Sequence, residues 1–341
     1  MDTLSREQIR ELAAQGALVP VYRELPADLE TPVSVYLKMR GHGASFLLES
    51  VEQAEQFGRY SFLGFNPRRQ ILSRGQEVTI LDNGSSETRQ IGKGEDSLHV
   101  VAAELGRYQP VAPLSQIDKD LPRFYGGAVG YMGYDIVRFF ERLPETAKNE
   151  LGLPELHVLV TDTLVVFDHV RHRLLVFANA HVLPESDLDA VYDEAIARLD
   201  AIQTHMRAPL PVPAGVSLPA MATPAGGSNG DLQSNVSRAE YEGAVRQAKE
   251  YIAAGDIFQV VLSQRLSRKT EADPFSIYRA LRRVNPSPYM FFLDLGGSPS
   301  AYLVGSSPEV LVRLQGRTAE VRPLAGTRPR GQSEQEDLDL E

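Results

Sequence analysis

Residue types that could do chemistry gather in four short segments. The densest is Arg322-Pro323-Leu324-Ala325-Gly326-Thr327-Arg328-Pro329-Arg330-Gly331, with three arginines in nine residues around a glycine and a threonine. Gly326 lets backbone approach a ligand closely, its N–H and the Thr327 hydroxyl can donate, and guanidinium forks meet a carboxylate at two points. An anion-binding turn and a solvated basic turn leaving a sheet both fit these residues. In Asn285-Pro286-Ser287-Pro288-Tyr289-Met290 two prolines stiffen an extended backbone. Pro288, Tyr289 and Met290 could then wall a planar apolar ligand, or simply mark a helix stop before a core strand. Leu47-Leu48-Glu49-Ser50 closes an apolar run with a carboxylate and a hydroxyl. That pair suits the ammonium and carboxylate of an amino acid, and equally the turn after a strand. In Gly255–Arg265 a regular strand would put Gln259, Val261, Ser263 and Arg265 on one face, making Gln259 a candidate for lining a polar cavity. Asp168-His169 with His172 reads as a hairpin turn rather than a ligand cluster. Gly126-Gly127 with Gly130 does not open a helix, which argues against a dinucleotide loop.

The elements that must hold these segments follow from periodicity. Alternation and Gly, Pro and Asn punctuation predict strands over 44–50, 60–65, 70–73, 78–81, a buried glycine-rich strand over 124–134, and a hairpin of 158–167 with 173–177. Further strands are expected over 257–266, 290–295, 301–304, 309–314 and 318–323. Helical spacing predicts helices near 5–15, 97–108, 186–203 and 274–284. Ser237-Arg238-Ala239-Glu240 is a capping-box signature opening another, with Tyr241, Ala244, Val245, Ala248 and Ile252 on its inner face and Gly255 at its end. Residues 207–234 hold five prolines and little periodicity, the mark of a linker or surface excursion. Strands interspersed with helices, without strict alternation, indicate an α+β fold.

Composition removes several functional classes. The 341 residues carry a formal net charge of −10 and no Lys/Arg-rich run, so nucleic acid is not an expected partner. Cysteine is absent, which excludes disulfides and thiolate metal sites. No apolar run approaches the ~20 residues of a membrane span, and the polar start of the chain does not read as a signal peptide, so a cytoplasmic location without membrane contact is expected.

Taken in order, Leu-Leu-Glu-Ser (47–50), Gly-Asp-Ile-Phe-Gln-Val-Val-Leu-Ser-Gln-Arg (255–265), Asn-Pro-Ser-Pro-Tyr-Met (285–290), Gly-Ser-Ser-Pro-Glu (305–309) and Arg-Pro-Leu-Ala-Gly-Thr-Arg (322–328) resemble the large-subunit family of chorismate-using enzymes, anthranilate synthase component I in particular. The resemblance runs over essentially the whole chain. It implies two large packed β-sheets flanked by helices. It also implies a carbon–oxygen lyase of tryptophan biosynthesis that converts chorismate and ammonia to anthranilate and pyruvate. A glutamine amidotransferase subunit would supply the ammonia, Mg2+ would hold the substrate carboxylate as a Lewis acid, and tryptophan would inhibit from a separate site. Residue by residue, tryptophan falls to Leu48, Glu49, Ser50, Pro288, Tyr289 and Met290, and chorismate to Gly326 and Thr327.

Two positions separate sister enzymes within the resemblance. Isochorismate-forming relatives carry a water-activating lysine where Gln259 stands, and aminodeoxychorismate-forming relatives a nucleophilic lysine where Ala325 stands; neither role is open to the residue present. The family pattern continues beyond Glu341 with its metal-binding glutamates and a catalytic histidine. The chain is therefore expected to be an N-terminal portion: 1–206 with the first half of the tryptophan site, 207–234 as linker, and 235–341 as an incomplete start of the chorismate region. No catalytic or metal residue is expected within it, and inactivity alone is expected. A tryptophan-binding module without catalysis and an aminodeoxychorismate synthase component are the alternatives.

Overall fold

A computed structural model of the chain describes residues 4–14, 18–51, 58–82, 84–107, 121–183, 185–211, 232–297, 300–323 and 329–340. Its strands are β1 (Leu18–Pro26), β2 (Ser45–Glu49), β3 (Tyr60–Phe65), β4 (Arg69–Arg74), β5 (Glu77–Asp82), β6 (Ser85–Gln90), β7 (Gly127–Met132), β8 (Leu156–Thr161), β9 (Thr163–Asp168), β10 (Arg173–His181), β11 (Gln233–Ser234), β12 (Leu266–Ser267), β13 (Tyr289–Asp294), β14 (Tyr302–Ser307), β15 (Arg313–Gln315) and β16 (Thr318–Glu320). Seven pair antiparallel in the order β1-β10-β9-β3-β2-β13-β14, and five in the order β6-β5-β4-β8-β7. This is the α+β class, with two large sheets and flanking helices.

Three cores explain the layering. One is formed by the seven-stranded sheet and the helices Arg6–Ala13, Pro32–Met39, Leu188–Arg207 and Pro274–Val284, around Tyr36, Leu47, Leu63, Leu199, Phe275, Tyr278 and Phe292. A second lies between the sheets, joining Phe46, Leu164, Val166 and Phe177 to Leu159 of β8. The third packs Ile71, Val78 and Val158 with Val100 of the Ser97–Gly106 helix. Side chains of one strand thus alternate between a helix-covered face and an inter-sheet face.

Contacts divide the chain into one compact unit of Met1–Pro211 with Pro274–Glu341, and a second of Val212–Asp273. This differs from the expected 1–206, 207–234 and 235–341 divisions. The reason is β13, which hydrogen-bonds to β2 and so returns the chain after residue 274 to the first sheet. Most of the 207–234 linker lies outside the described residues.

Local expectations fared unevenly. The Pro274–Val284 and Arg238–Ala254 helices form as read, the latter with Ser237 and Glu240 as a reciprocal capping box and Gly255 left-handed at φ 84°. Its supposed inner face, however, is not buried. The single strand expected over 158–167 is two strands in different sheets, broken at Asp162. That buried carboxylate is held by His181 Nε2 at 2.9 Å and Arg198 Nη1 at 3.0 Å, and turns the chain from one sheet to the other. The 124–134 strand shortens to β7, a half-buried edge strand rather than a buried one. Gly130 there does meet close backbone, since a Cβ would stand 2.0 Å from the His157 carbonyl oxygen. β1 carries Pro20 where, among the described residues, it pairs with β10 alone, as an edge strand tolerates.

Candidate functional site

The antiparallel register of β2 and β13 sets Met290 opposite Glu49 and Phe291 opposite Leu48. Two segments far apart in sequence thereby meet at one end of a strand pair, where β2 stops and β13 starts. Glu49 and Met290 point to the helix-covered face, and Leu48 and Phe291 to the inter-sheet face. Ser50 and Pro288 flank that end, which is closed by Val51 N–H donating to the Ser287 carbonyl at 3.3 Å. The six residues thus converge on a strand end rather than on a single face.

The Asn285–Met290 corner is held from below. The Ser306 hydroxyl donates to the Asn285 carbonyl at 2.7 Å and lies 2.8 Å from Ser287 Oγ. Gly305 sits opposite Phe291 in the ladder, and its lack of a side chain admits the Phe291 ring, which a Cβ would meet at 2.0 Å. Stiff prolines and a cross-strand hydroxyl bond leave Pro288, Tyr289 and Met290 little freedom.

Glu49 is the polar centre of this end, only 5% exposed. An unpaired carboxylate at that depth would cost several kcal/mol. It is met by the Tyr278 hydroxyl at 2.5 Å and by Arg282 Nε at 3.2 Å, both on Oε2. Glu49 Oε1 accepts no hydrogen bond from the described residues. Tyr278 and Arg282 stand four apart on the Pro274–Val284 helix and so share one face of it. Burial, and then the neighbouring Glu49 charge, push the Tyr278 phenol well above its ordinary value, so its hydroxyl remains a donor. Its ring is clamped between Phe275 (5.5 Å, stacked) and Phe292 (5.9 Å, edge-on).

At the next residue, Ser50 Oγ is buried without a hydrogen-bond partner among the described residues. A buried hydroxyl left unpaired is rare enough to indicate a ligand or water. His169 belongs to the same neighbourhood. Burial lowers its pKa, while the Glu49 and Asp168 charges pull it upward, and its Nε2 lies 2.8 Å from Ser61 Oγ. Its loop is the expected 169–172 hairpin turn, with Asp168 bound to Arg59 and Arg173. Tyr278, Arg282 and Ser61 were not among the expected site residues, and His169 was set aside as part of a hairpin turn. The helical spacing of Tyr278 and Arg282 was a usable signal; Ser61 had none, because its relation to Glu49 is tertiary.

The other expected positions fare differently. Gly326, Thr327 and Ala325 lie outside the described residues. Gln259 is described and exposed, and the strand expected over 257–266 is absent except for Leu266 in β12. A strand needs a ladder partner for its N–H and C=O groups, and among the described residues only Gln233–Ser234 pairs here, with Leu266–Ser267. Gln259 therefore does not share a strand face with Val261, Ser263 and Arg265. Among the described residues no three His, Asp or Glu side chains gather as a metal set. No helix among them is long and apolar enough to cross a membrane.

Comparison with known proteins gives this geometry a family. Residues 43–341 match the family model described as chorismate binding enzyme. Anthranilate synthase component 1 of Acetivibrio thermocellus is 37% identical over 335 residues, 98% of this chain and 65% of that protein. The proteins of the same name from Pseudomonas aeruginosa and Thermus thermophilus are 41% and 44% identical, over 99% and 94% of this chain and 66% and 62% of theirs. The chain thus spans just under two thirds of the length of these relatives. Among solved structures, anthranilate synthase component I from Streptococcus pneumoniae superposes with a TM-score of 0.56 at 26% identity, covering 86% of this chain and 59% of that one. The menaquinone-specific isochorismate synthase of Escherichia coli superposes with a TM-score of 0.55 at 15% identity, over 98% of this chain and 62% of that one, a likeness of fold alone. With its family model spanning all four chemistry-bearing segments and its sheets laid out like theirs, the chain belongs to the chorismate binding enzyme family.

Proposed function

We propose that the chain serves as the large component of an anthranilate synthase and that the β2–β13 end is its tryptophan site. In this reading the enzyme adds ammonia, supplied from glutamine by an amidotransferase subunit, to the chorismate ring, loses the ring hydroxyl as water and eliminates pyruvate to leave anthranilate, in the cytoplasm; Mg2+, if bound, would supply Lewis-acid neutralisation of the substrate carboxylate. Gly326 and Thr327 bind chorismate, Gln259 offers no base to activate water, and Ala325 offers no nucleophile. The relatives named above support the reaction.

One observation carries the site. Glu49 is set against Met290 with one carboxylate oxygen unused among the described residues, next in the chain to Ser50, whose buried hydroxyl has no partner among them, and at the strand end where the Pro288–Tyr289 corner begins. That is an acceptor for an ammonium, a donor for a carboxylate, and an apolar wall for a ring, which together describe an aromatic amino acid. Tryptophan binding there would couple to chorismate chemistry elsewhere as a free energy shared between two sites.

Titration calorimetry with L-tryptophan tests the site. The expected result is saturable heat at one site per chain, weakened about tenfold by Ser50→Ala through loss of one hydrogen bond to a charged group. Absence of heat from the folded chain overturns the site. Formation of 4-amino-4-deoxychorismate instead of anthranilate from chorismate and ammonia overturns the reaction.

A further inference from the structure

Resting on that reading, we propose that Arg282 is a ligand-reading residue and Tyr278 a positioning residue: the Glu49–Arg282 ion pair recognises the α-amino-acid zwitterion, Glu49 Oε1 taking the ammonium and the Arg282 Nη groups the carboxylate. The pair is arranged with half of each partner unused. Arg282 meets Glu49 through Nε alone, and Tyr278 takes the same oxygen, Oε2. Among the described residues Glu49 Oε1 and both Nη groups of Arg282 carry no hydrogen bond. Arg282 is also the more open partner, its side chain 37% exposed against 2% for Glu49.

Charge decides what such a pair can accept. Glu49 alone would attract any cation, and Arg282 alone any anion. Held together they are neutral, so a ligand bearing one charge finds attraction and repulsion at short range. A zwitterion whose two ends match the two free edges satisfies both. Ser50, the next residue along the chain, has a buried Oγ with no hydrogen-bond partner among the described residues, a further neutral donor at this strand end. Specificity also follows from what an incomplete ligand leaves behind, because a buried polar group built to be paired penalises an analogue that lacks its partner.

Tyr278 keeps the arrangement one-sided. It is fully buried, and its ring is fixed by Phe275 and Phe292, so its hydroxyl does not swing to follow the ligand. By engaging Oε2 it leaves Oε1 as the oxygen open to a ligand. The helix delivers both residues from one face, so a single element sets the carboxylate's orientation and supplies the cation.

The experiment titrates the whole chain with L-tryptophan, tryptamine (no carboxylate) and indole-3-propionate (no ammonium), in wild type, Arg282→Gln, Arg282→Lys and Tyr278→Phe. In wild type both analogues should bind at least about tenfold more weakly than tryptophan. Arg282→Gln should weaken tryptophan about tenfold and leave tryptamine unchanged or tighter, collapsing the tryptophan-to-tryptamine ratio, and Arg282→Lys should restore part of it. Tyr278→Phe should shrink the ratio of tryptophan to indole-3-propionate while sparing indole-3-propionate itself. A general packing role would instead weaken all three ligands together. Unchanged ratios in Arg282→Gln, with tryptophan still bound, overturn this inference and leave the site reading standing. No tryptophan binding by wild type overturns both.

Discussion

The β2–β13 strand end and the segment 257–265 are both β-prone runs with polar residues set among apolar ones, Glu49 in the first and Gln259 in the second. In the first, both strands lie inside a seven-stranded ladder, and Leu47, Met290 and Phe292 are buried. In the second, Phe258 is 93% and Val261 83% exposed, and among the described residues no ladder forms before Leu266. The difference shows that a polar residue in a β-like pattern acquires a defined environment only when its neighbours are paired on both sides. β-propensity expresses how well a residue fits a sheet that already exists. Glu49 is therefore interpretable as a site residue from geometry, and Gln259 from its resemblance alone.

The largest expected contrast comes from truncating one aromatic in each region. Phe292→Ala removes a ring 2% exposed beneath the site and should cost about 3–5 kcal/mol in chemical denaturation. Phe258→Ala should change stability by less than about 0.5 kcal/mol. Similar losses from both would erase the distinction.

A second expectation concerns a polar group embedded in the other sheet. His157 on β8 is held at about 4, first by burial and then by the Arg74 charge, below the ordinary 6.5. Its Nε2 lies 2.9 Å from Gln70 Oε1. The unfolded chain takes up this proton below pH 6.5 and the folded chain only near pH 4, so stability is full above the first value and falls between them. The loss should approach about 3 kcal/mol, and His157→Gln should flatten it in denaturation curves at about pH 7.5 and about pH 4.5. An unchanged pH slope in the variant would show that the ladder does not impose this environment.

The smallest stability effect belongs to Ser50→Ala. Because its hydroxyl is buried and unpaired, removing it should leave stability unchanged or raise it by a few tenths of a kcal/mol, even as tryptophan affinity falls. A loss above about 1 kcal/mol would mean that the hydroxyl is used within the fold.

What sequence made legible follows the same division. Strand β3 and the Pro274–Val284 helix were readable because their patterns are local, and the α+β class followed from them. Leu48, Glu49, Ser50 and Pro288, Tyr289, Met290 were each readable as segments, but their meeting was not. A register between β2 and β13 is set by which faces find a core, over a separation that no local pattern spans. The bond from Tyr278 to Glu49 crosses 229 positions and was invisible for that reason. The break at Asp162 was missed because apolar, β-prone residues flank Thr161-Asp162-Thr163 on both sides, and a buried carboxylate turning the chain between sheets declares itself only through His181 and Arg198.

The central claim is that the strand end around Glu49, rather than the segment around Gln259, receives tryptophan. Amide hydrogen exchange of the whole chain with and without L-tryptophan tests it most directly. The account predicts slowed exchange in 47–51 and 288–291 and in the Pro274–Val284 helix around Tyr278 and Arg282, with 257–265 unchanged. Protection confined to 257–265, or no protection at the strand end under saturating tryptophan, would contradict it.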